Sequence, residues 1–402
     1  MSFDVIWFYV FACIPFVVGG ILWVQSREVN WKEWIGNSVL CFVMAAGFHL
    51  LAVAGATHDV ETWSGHVVRA THYPRWVEEY QQMHTRSVPS GTDSKGNTTY
   101  TTEIYYTTEY RTHHEHWEAD SNINTEIGIS RQDFQHMAGI FGSISTEQPH
   151  KSGFYSGDRN IYVSYNTHSG EYFPVTSVRS WSNKIKATPS TFSFSKVPEG
   201  MKGLFEYPKN DQPFISDRLL GTAQATVDLL TFDRMNARLG PSKKVNVIMV
   251  GMGAADSMLG EWQRSKWIGG KKNDVVILWG GNNKKPTWVK VFGWTDQEIC
   301  KRTLETIVLD NGAVTSTLPL IEKEIKAHYV LKDWEKSFAH ISIPAPAWSM
   351  WTYFIVMVVT QIALWWWFMN NNYSKDGGYG SNYRYFGGGS YVPSRFTLPR
   401  FR

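Results

Sequence analysis

The sequence contains few cysteines, and their positions exclude a fold held together by disulfides. Cys13 and Cys41 lie in apolar runs near the start of the chain, and Cys300 stands alone in the polar middle region. A single cysteine in that region has no intramolecular partner, so the sequence is not that of a small disulfide-stapled ectodomain. This cysteine usage favours a bacterial or phage-encoded protein.

Several common enzyme signatures are also missing. The 402 residues contain no phosphate-binding Gly-Lys-Ser/Thr loop, no Gly-x-Ser-x-Gly nucleophile elbow and no His-Glu-x-x-His zinc helix. Gly251 and Gly253 follow an apolar run, but Asp256 stands where a dinucleotide-binding fingerprint requires its third glycine. The sequence therefore points to none of these enzyme classes.

The middle of the chain lacks an excess of charge of either sign. Residues 57–343 carry equal numbers of basic and acidic residues, so their formal net charge is zero. Nucleic-acid binding requires clustered positive charge, so we expect no nucleic-acid partner. The mean hydropathy of the whole chain, -0.28, is too low for a protein built mostly of membrane spans.

Three long apolar runs are nevertheless present at the two ends of the chain. They extend from about Val5 to Val24, from Ile35 to Ala56 and from about Ala347 to Met369. As helices they are long enough to cross about 30 Å of hydrocarbon. The acidic MSFD start and the lack of a cleavage motif favour an uncleaved first span over a signal peptide. The amphipathic indoles of Trp365 to Trp367 suit the interface at the end of the third span.

Basic residues beside the spans predict the orientation of the protein. Arg27 and Lys32 lie in the short link between the first two spans, and the Gly/Tyr-rich tail, residues 370–402, is also basic. The positive-inside rule places the link and the tail in the cytoplasm and residues 57–343 outside it. We therefore expect a bacterial inner (plasma) membrane protein with a large extracytoplasmic domain. Its cytoplasmic tail is expected to be disordered and to contact membrane lipid.

The outer region begins with a β-rich part, residues 57–212. The runs EEYQQMHTRSV and TYTTEIYYTTEYRTHHEHW have no helical period, and the polar PSGTDSKGN between them is typical of a turn. We expect these runs to form a long antiparallel hairpin. NIYVSYN and EYFPVTSV are predicted to form a second hairpin, and RQDFQHMAGIFG a helical insert.

The apolar pattern changes in residues 213–343. ISDRLLGTAQATVDLLTFDRMNARLG is predicted to be one helix with Ser216 as its N-cap. KVNVIMVG, VVILWG and WVKVFGW are predicted strands, and Thr295 and Glu298 have the spacing of a capping box at the start of a later helix. Alternating helices and strands predict an α/β layer. The fold expected is a membrane-anchored α+β protein with three transmembrane helices, an antiparallel β-rich extracytoplasmic part and this α/β layer.

Residues from about 216 to 325 resemble a TPM domain, a module of many bacterial membrane-anchored proteins and of plastid photosystem-repair proteins. The matching pieces are VNVIMVGMG, EWQRSKWIGGKKNDVVILWG and WVKVFGWTDQE. Many members also have a span and a Gly-rich tail after the domain, as this chain does. Where the family commonly has Asp-Asn-Gly before the strand, this chain has Lys272-Asn273-Asp274-Val275. The β-rich part before it resembles uncharacterised membrane proteins of large tailed phages.

The resemblance implies a divalent cation, because TPM proteins have been linked to calcium binding and, in one branch, to phosphatase activity. A hard cation needs several oxygen ligands, and Asp256, Asp274 and Asp296 fall at loop ends where they could meet. In the alternative interpretation, Asp256 and Asp296 begin helices, where a carboxylate faces free N–H groups. This alternative is favoured, so no catalytic residue is carried over from the family.

The densest group of potential metal ligands is THHEHWE. On a continuous strand His114 and His116 would share one face and could bind a metal with Glu118 or a distant histidine. Solvated histidines on an exposed hairpin are the commoner outcome. His49 lies inside the second span, where we expect it to bond to a neighbouring helix.

The sequence favours a binding protein over an enzyme. We expect the outer region to bind or scaffold another envelope protein, and a phage-encoded factor acting on the host envelope would fit the same chemistry. The alternative is a metal-dependent phosphatase-like hydrolase that uses the region of the three aspartates. The sequence leaves open the identity of the partner or substrate and the oligomeric state.

Overall fold

The computed structural model describes residues 3–25, 31–73, 75–141, 145–147, 162–164, 173–188, 192, 194, 196–210, 212–253 and 256–371. The chain divides into two compact units, one formed by Met1–Val53 with Pro344–Arg402 and the other by Ala54–Ile343. From residue 372 onward the predicted tail lies outside the described residues, and so does Arg27 of the predicted link.

Helices make up the first unit and part of the second. Three of them are long and apolar enough to cross a membrane, which confirms the three predicted spans in length and composition. The helices of the described residues are α1 (Phe3–Gln25), α2 (Trp31–Thr57), α3 (Arg131–Phe141), α4 (Lys184–Ala187), α5 (Leu229–Lys243), α6 (Met258–Lys266), α7 (Glu298–Asn311), α8 (Leu318–His328), α9 (Trp334–Ser337) and α10 (Ala347–Asn371).

Polar side chains join the three long helices of the first unit. Asn37 of α2 and Gln361 of α10 exchange two hydrogen bonds through their amide groups, at 2.7 and 3.0 Å. The hydroxyl of Tyr9 in α1 lies 3.2 Å from Nδ1 of His49 in α2. His49 therefore bonds to a neighbouring helix, as the sequence predicts. Such bonds between membrane helices contribute about 0.6 kcal/mol each on average.

Twelve strands of the Ala54–Ile343 unit form two four-stranded sheets and two ribbons within the described residues. They are β1 (His58–Tyr73), β2 (Trp76–Thr92), β3 (Thr98–His113), β4 (His116–Ser121), β5 (Glu126–Ile129), β6 (Ser145–Glu147), β7 (Tyr162–Ser164), β8 (Pro174–Ser182), β9 (Leu219–Gly221), β10 (Asn246–Gly251), β11 (Asp274–Asn282) and β12 (Lys285–Gly293).

The two four-stranded sheets differ in strand direction. The first has the order β5-β4-β1-β8 and is antiparallel throughout. The second has the order β12-β11-β10-β9, in which β9, β10 and β11 are parallel and β12 is antiparallel to β11. The described residues thus form a mixed α+β fold with three long apolar helices.

The second sheet is buried on both faces. In β10, Val247 and Met249 pack into a core with side chains of α5, α7 and α8, while Ile248 and Val250 pack into a second core with Trp267 and Phe292. A parallel strand covered on both faces is expected to read as a continuous apolar run, as KVNVIMVG does.

The first sheet packs directly against the α/β layer. Gly240 of α5 lies so close to the main chain of Ser64 in β1 that an added Cβ atom would collide with it. The boundary predicted between residues 212 and 213 therefore falls inside one compact unit, where the two parts share an interface.

Two local predictions in the α/β layer are wrong. Ser216 is not an N-cap, because its hydroxyl accepts a hydrogen bond from Arg218 Nε at 2.8 Å and the chain continues into β9. The helix begins only at Leu229, where the Asp228 carboxylate accepts from the N–H of Thr231 at 2.8 Å. The capping box of Thr295 is also absent, since its hydroxyl donates to the carbonyl of Val330 at 2.8 Å and α7 starts later.

One of the two predicted hairpins is present. Strands β2 and β3 pair in antiparallel register from Trp76 opposite His113 to Thr92 opposite Thr98. In the turn, Oδ1 of Asp93 accepts from two backbone N–H groups. The second predicted hairpin is wrong, because β7 pairs with β6 whereas β8 pairs with β1. The predicted helical insert is confirmed as α3.

Candidate functional site

The three aspartates considered as metal ligands have separate partners. The carboxylate of Asp274 is fully buried and accepts from Asn246 Nδ2 at 2.9 Å, Tyr207 Oη at 2.8 Å and the N–H of Lys271 at 2.7 Å. Because burial disfavours its charged form, the pKa of Asp274 is raised. Its oxygens are taken up by protein donors, so it acts as a structural hydrogen-bond acceptor.

Asp256 and Asp296 lie at the starts of two different helices. Oδ1 of Asp256 accepts from the N–H of Met258 at 2.9 Å, which is the helix-start role of the alternative interpretation. Oδ1 of Asp296 instead accepts from Nζ of Lys332 at 2.5 Å. Within the part of the chain that the structure describes, no group of three or more His, Cys, Asp or Glu side chains could hold a metal ion.

The histidine cluster does not lie on one continuous strand. Strand β3 ends at His113 and β4 begins at His116, so strand alternation does not place His114 and His116 on a common face. The Nδ1 atom of His116 lies 2.9 Å from the carbonyl of His114, and its Nε2 atom lies 3.6 Å from Oε1 of Glu118. The His116 ring also stacks on Tyr73, so both of its nitrogens face protein groups.

A buried polar network joins the first sheet to the α/β layer. It contains Ser64, Arg218, Asp233, Asn246 and Asp274, and we call it the seam network. The guanidinium of Arg218 donates to Asp233 at 2.9 Å, to Asn246 at 3.2 Å and to the Ser64 hydroxyl, and Asn246 passes the connection on to Asp274. Each charge has a partner, so the network holds the first sheet and the α/β layer together. It leaves no group free to react.

The cleft between α6, β12 and α7 is also occupied by internal pairs. It has a volume of about 200 Å³ and is lined by charged side chains. Lys290 pairs with Glu261 at 2.5 Å, Lys301 pairs with Glu298 at 2.5 Å, and a third pair lies beside them. Each acid of the cleft pairs with a base, so no carboxylate there is free to act as a catalytic group.

The β2–β3 hairpin is the one long element of the described residues that contributes to no hydrophobic core. None of residues 77–112 belongs to the core clusters of the described residues. At about 3.3 Å per residue its strands extend roughly 50 Å. An isolated two-stranded hairpin is only marginally stable in water, so contacts outside the fold would stabilise it.

One face of the hairpin carries its charges. Strand alternation and the register place Glu78 beside Arg111 and Arg86 beside Glu103, where the latter pair is 2.9 Å apart. Arginines also cover the two tyrosines of this face, since Arg111 lies over the Tyr80 ring and Arg86 lies over the Tyr105 ring. We call this surface the charged face.

The opposite face is apolar and uncovered. Its large side chains are each between 51% and 69% exposed and follow one another along one face, and such contiguous patches mark interaction sites. Glu79 is its one charged side chain, and threonines fill most of the remaining positions. We call this surface the apolar face, and its large residues are Val77, Met83, Tyr100, Ile104, Tyr106 and Tyr110.

The sequence carries a signal for this face that the hairpin prediction alone does not use. The motif Tyr-Thr-Thr-Glu occurs at Tyr100 and again at Tyr106, six residues later. Because six is an even number, equivalent residues of the two copies point to the same side of a strand. Both tyrosines and both threonines two positions after them therefore lie on the apolar face.

Comparison with known proteins gives no further guide. The chain matches no protein-family model, no curated protein and no solved structure. The resemblance of residues 216–325 to a TPM domain therefore stays a prediction, and the function has to be argued from the geometry of the chain itself.

Proposed function

We propose that this chain is a membrane-anchored binding or scaffolding protein and that the apolar face of the hairpin binds another protein of the envelope. The observation that carries the proposal is the separation of the two faces. All but one of the charges of the paired strands lie on one side, where each arginine lies near an acid, and six large apolar residues lie uncovered on the other. No contact in the described residues favours the metal-dependent hydrolase.

The composition of the apolar face fits protein recognition. Tyrosine is enriched among residues that dominate binding energy, because its ring has a large contact area and few rotatable bonds. The surrounding Thr and Gln side chains supply neutral hydrogen-bonding groups, as in the Gln81–Thr108 bond of 2.8 Å. A nearly uncharged face also avoids the cost of burying unpaired charge when a partner covers it.

The membrane location is part of the proposal. The three long apolar helices anchor the chain, and the basic residues next to them favour an extracytoplasmic position for Ala54–Ile343 in a bacterial inner membrane. The resemblances to TPM proteins and to phage membrane proteins support a role on the envelope side, with the TPM-like layer as the scaffold of the hairpin.

The binding proposal is tested by photocrosslinking in the native membrane. A photoreactive benzoyl-phenylalanine replaces Tyr106 of the apolar face in the full chain, and the matched control replaces the neighbouring Tyr105 of the charged face. We expect a discrete adduct with a different protein at position 106 and no adduct with a different protein at position 105. The purified adduct partner should then bind the purified chain and lose at least tenfold in affinity for a Tyr106→Ser variant. Equal labelling of a different protein from both positions, or from neither, would contradict the proposal.

The orientation has its own test. A reporter active in the periplasm is inserted in the turn between Pro89 and Asn97, and a reporter active in the cytoplasm is fused after Arg402. Both should be active because the positive-inside rule puts the link and tail in the cytoplasm. Activity of the swapped reporters instead would reverse the proposed orientation.

A further inference from the structure

The hairpin has an open edge as well as an open face. Strands β2 and β3 form a ribbon of two, so in the part of the chain that the structure describes each strand has one side without a ladder partner. The edge of β2 is interrupted by Pro89, which has no N–H, and by an irregular register between Pro89 and Gly91. These are the features by which natural edge strands avoid pairing with other chains.

Strand β3 has none of these protections. From Thr98 to His113 it contains no proline, glycine or lysine, and threonine and tyrosine make up most of it. Such β-prone residues on a long regular edge favour the addition of another strand, since each added residue satisfies backbone groups that otherwise bond to water. The edge of β3 is therefore the better of the two for pairing.

We propose that a second copy of this chain occupies that edge, so that the two β3 strands pair antiparallel and the hairpins form one four-stranded sheet in the order β2-β3-β3-β2. Antiparallel pairing of identical strands has twofold symmetry, and the same edge then serves both copies. The inference stands apart from the proposed function, because the edge can pair whether or not the apolar face binds a partner.

Charge and strand overlap together select the register of this pairing, because an axis at Tyr110 would also pair Glu109 with Arg111 but would overlap only residues 107–113 of each strand. Directly opposite residues share a face, so residue numbers in a β3–β3 pair must be both odd or both even. With Thr107 on the twofold axis, Glu103 lies opposite Arg111 of the second copy, and the reciprocal pair forms as well. Moving the axis to Tyr106 would place Glu103 opposite Glu109, and like charges directly opposite are destabilising.

The selected register also continues contacts that already exist inside each hairpin. Arg86 pairs with Glu103, and Glu78 lies near Arg111. Across the four strands the charges would then alternate in the row Arg86, Glu103, Arg111 of the second copy and Glu78 of the second copy. Glu103 is about half exposed and Arg111 is largely exposed, so both have room for this additional contact. On the other side of the sheet, Ile104 comes to lie beside Tyr110 of the second copy.

The first test uses complementary charge reversals in the full chain, studied in detergent or lipid nanodiscs. Glu103→Lys alone places Lys opposite Arg111 at both contacts, and Arg111→Glu alone places Glu opposite Glu103 at both. Each variant by itself should weaken dimerisation by about tenfold, as expected for two reversed cross-strand pairs. An equimolar mixture should recover wild-type association as a heterodimer, because both of its contacts are then attractive. Sedimentation velocity measures the three cases.

The second test reads the register directly by disulfide formation in membranes. Thr107→Cys places two thiols opposite each other on the axis, within the 4.4–6.8 Å between Cα atoms that a disulfide accepts. The control Thr101→Cys keeps the same residue type and face, but the two copies of residue 101 are then roughly 40 Å apart. Both variants are made with Cys13→Ser to remove the exposed native thiol.

We expect covalent dimers from Thr107→Cys and monomers from Thr101→Cys. A wild-type chain that stays monomeric, a mixture that associates no better than the single variants, or equal crosslinking at both positions would each overturn the inference. Folding defects do not mimic the expected result, since a misfolded variant is not rescued by mixing.

Discussion

Strands β3 and β11 are both rich in residues of high β propensity, but they differ in burial. In β11, Val275 to Trp279 are almost completely buried between two cores of the α/β layer. In β3, residues of comparable β propensity are exposed on both sides, and none lies in a core of the described residues. Burial accounts for the residues of β11. It cannot account for those of β3, whose sequence is explained better by contacts outside the folded chain.

The charged side chains of the seam network differ from the arginines of the hairpin in the same way, since the former are buried and the latter are exposed. Arg218 in the seam network is 1% exposed and bonds to four other side chains, whereas Arg111 of the hairpin is largely exposed near one acid. A buried charge that loses its partner keeps its desolvation penalty, but an exposed one regains water. Substitutions at matched positions in the two regions test this difference.

The largest effect is expected from Arg218→Ala. It leaves the carboxylate of Asp233 buried without its cation, and breaking such a pair costs about 3–5 kcal/mol of the free energy of unfolding. The control Arg111→Ala should cost no more than about 1 kcal/mol, because the arginine is exposed, its contact with Glu78 is long at 4.0 Å, and Glu78 keeps its 2.7 Å contact with His113. Chemical denaturation of both variants measures the difference, and similar losses would show that the two regions are not energetically distinct.

A smaller, pH-dependent effect is expected from Asp59→Asn. Burial by itself raises the pKa of Asp59, but bonds from Lys271 and Asn183 outweigh it, and the pKa is lowered overall. A carboxyl with a lowered folded pKa stabilises the fold above its unfolded pKa of about 3.9, and that stabilisation is lost as pH falls through the folded pKa. The variant should be about 1–3 kcal/mol less stable at pH 7.

The gap between wild type and Asp59→Asn should close as the pH falls below about 3.9. Denaturation curves at a series of pH values measure this. A gap that stays constant between pH 7 and pH 3 would mean that the loss comes from packing and not from the charge of Asp59.

Local sequence patterns predict those parts of the structure that local interactions determine. The three spans follow from uninterrupted apolar length, and the hairpin follows from two strand-like runs around a turn in which Asp93 bonds its own backbone. The Ser216 prediction failed because a distant strand competes with local helix propensity, as Leu219 pairs with Met249 in a parallel ladder. The segment does have a helical period of apolar residues, but pairing with β10 makes its first part a strand.

The candidate site was predictable only in part. Period-two alternation along β2 and β3 is enough to find the apolar face once the register is known, and the register follows from the turn. The seam network had no local signal, because Arg218 reaches Ser64 across 154 positions of sequence. The structural role of Asp274 also has no local signal, because its donors Tyr207 and Asn246 are distant in sequence, and the sequence alone therefore suggests a metal ligand.

A weak effect is expected for metal binding at the histidine cluster. Since His114 and His116 do not form a shared strand face, zinc should bind the wild-type chain no more than about twofold tighter than a His114→Ala, His116→Ala double variant. Calorimetry of the full chain in detergent measures both. A submicromolar zinc affinity that disappears in the double variant would restore the metal interpretation.

The smallest effect on stability is expected from Ile104→Thr, which tests the comparison of β3 with β11 most directly. Ile104 on the apolar face is 55% exposed, and threonine keeps both its branching at Cβ and its β propensity, so the free energy of unfolding should change by less than about 0.5 kcal/mol. The same substitution at the fully buried Ile277 of β11 removes packed methyl groups and buries a hydroxyl, which should cost about 3 kcal/mol or more. Partner capture at position 106 should show the reverse order, with loss in Ile104→Thr and retention in any folded Ile277→Thr protein. If Ile104→Thr instead destabilised the chain as much as Ile277→Thr, the apolar face would be part of the fold, and its exposure would no longer argue for a partner.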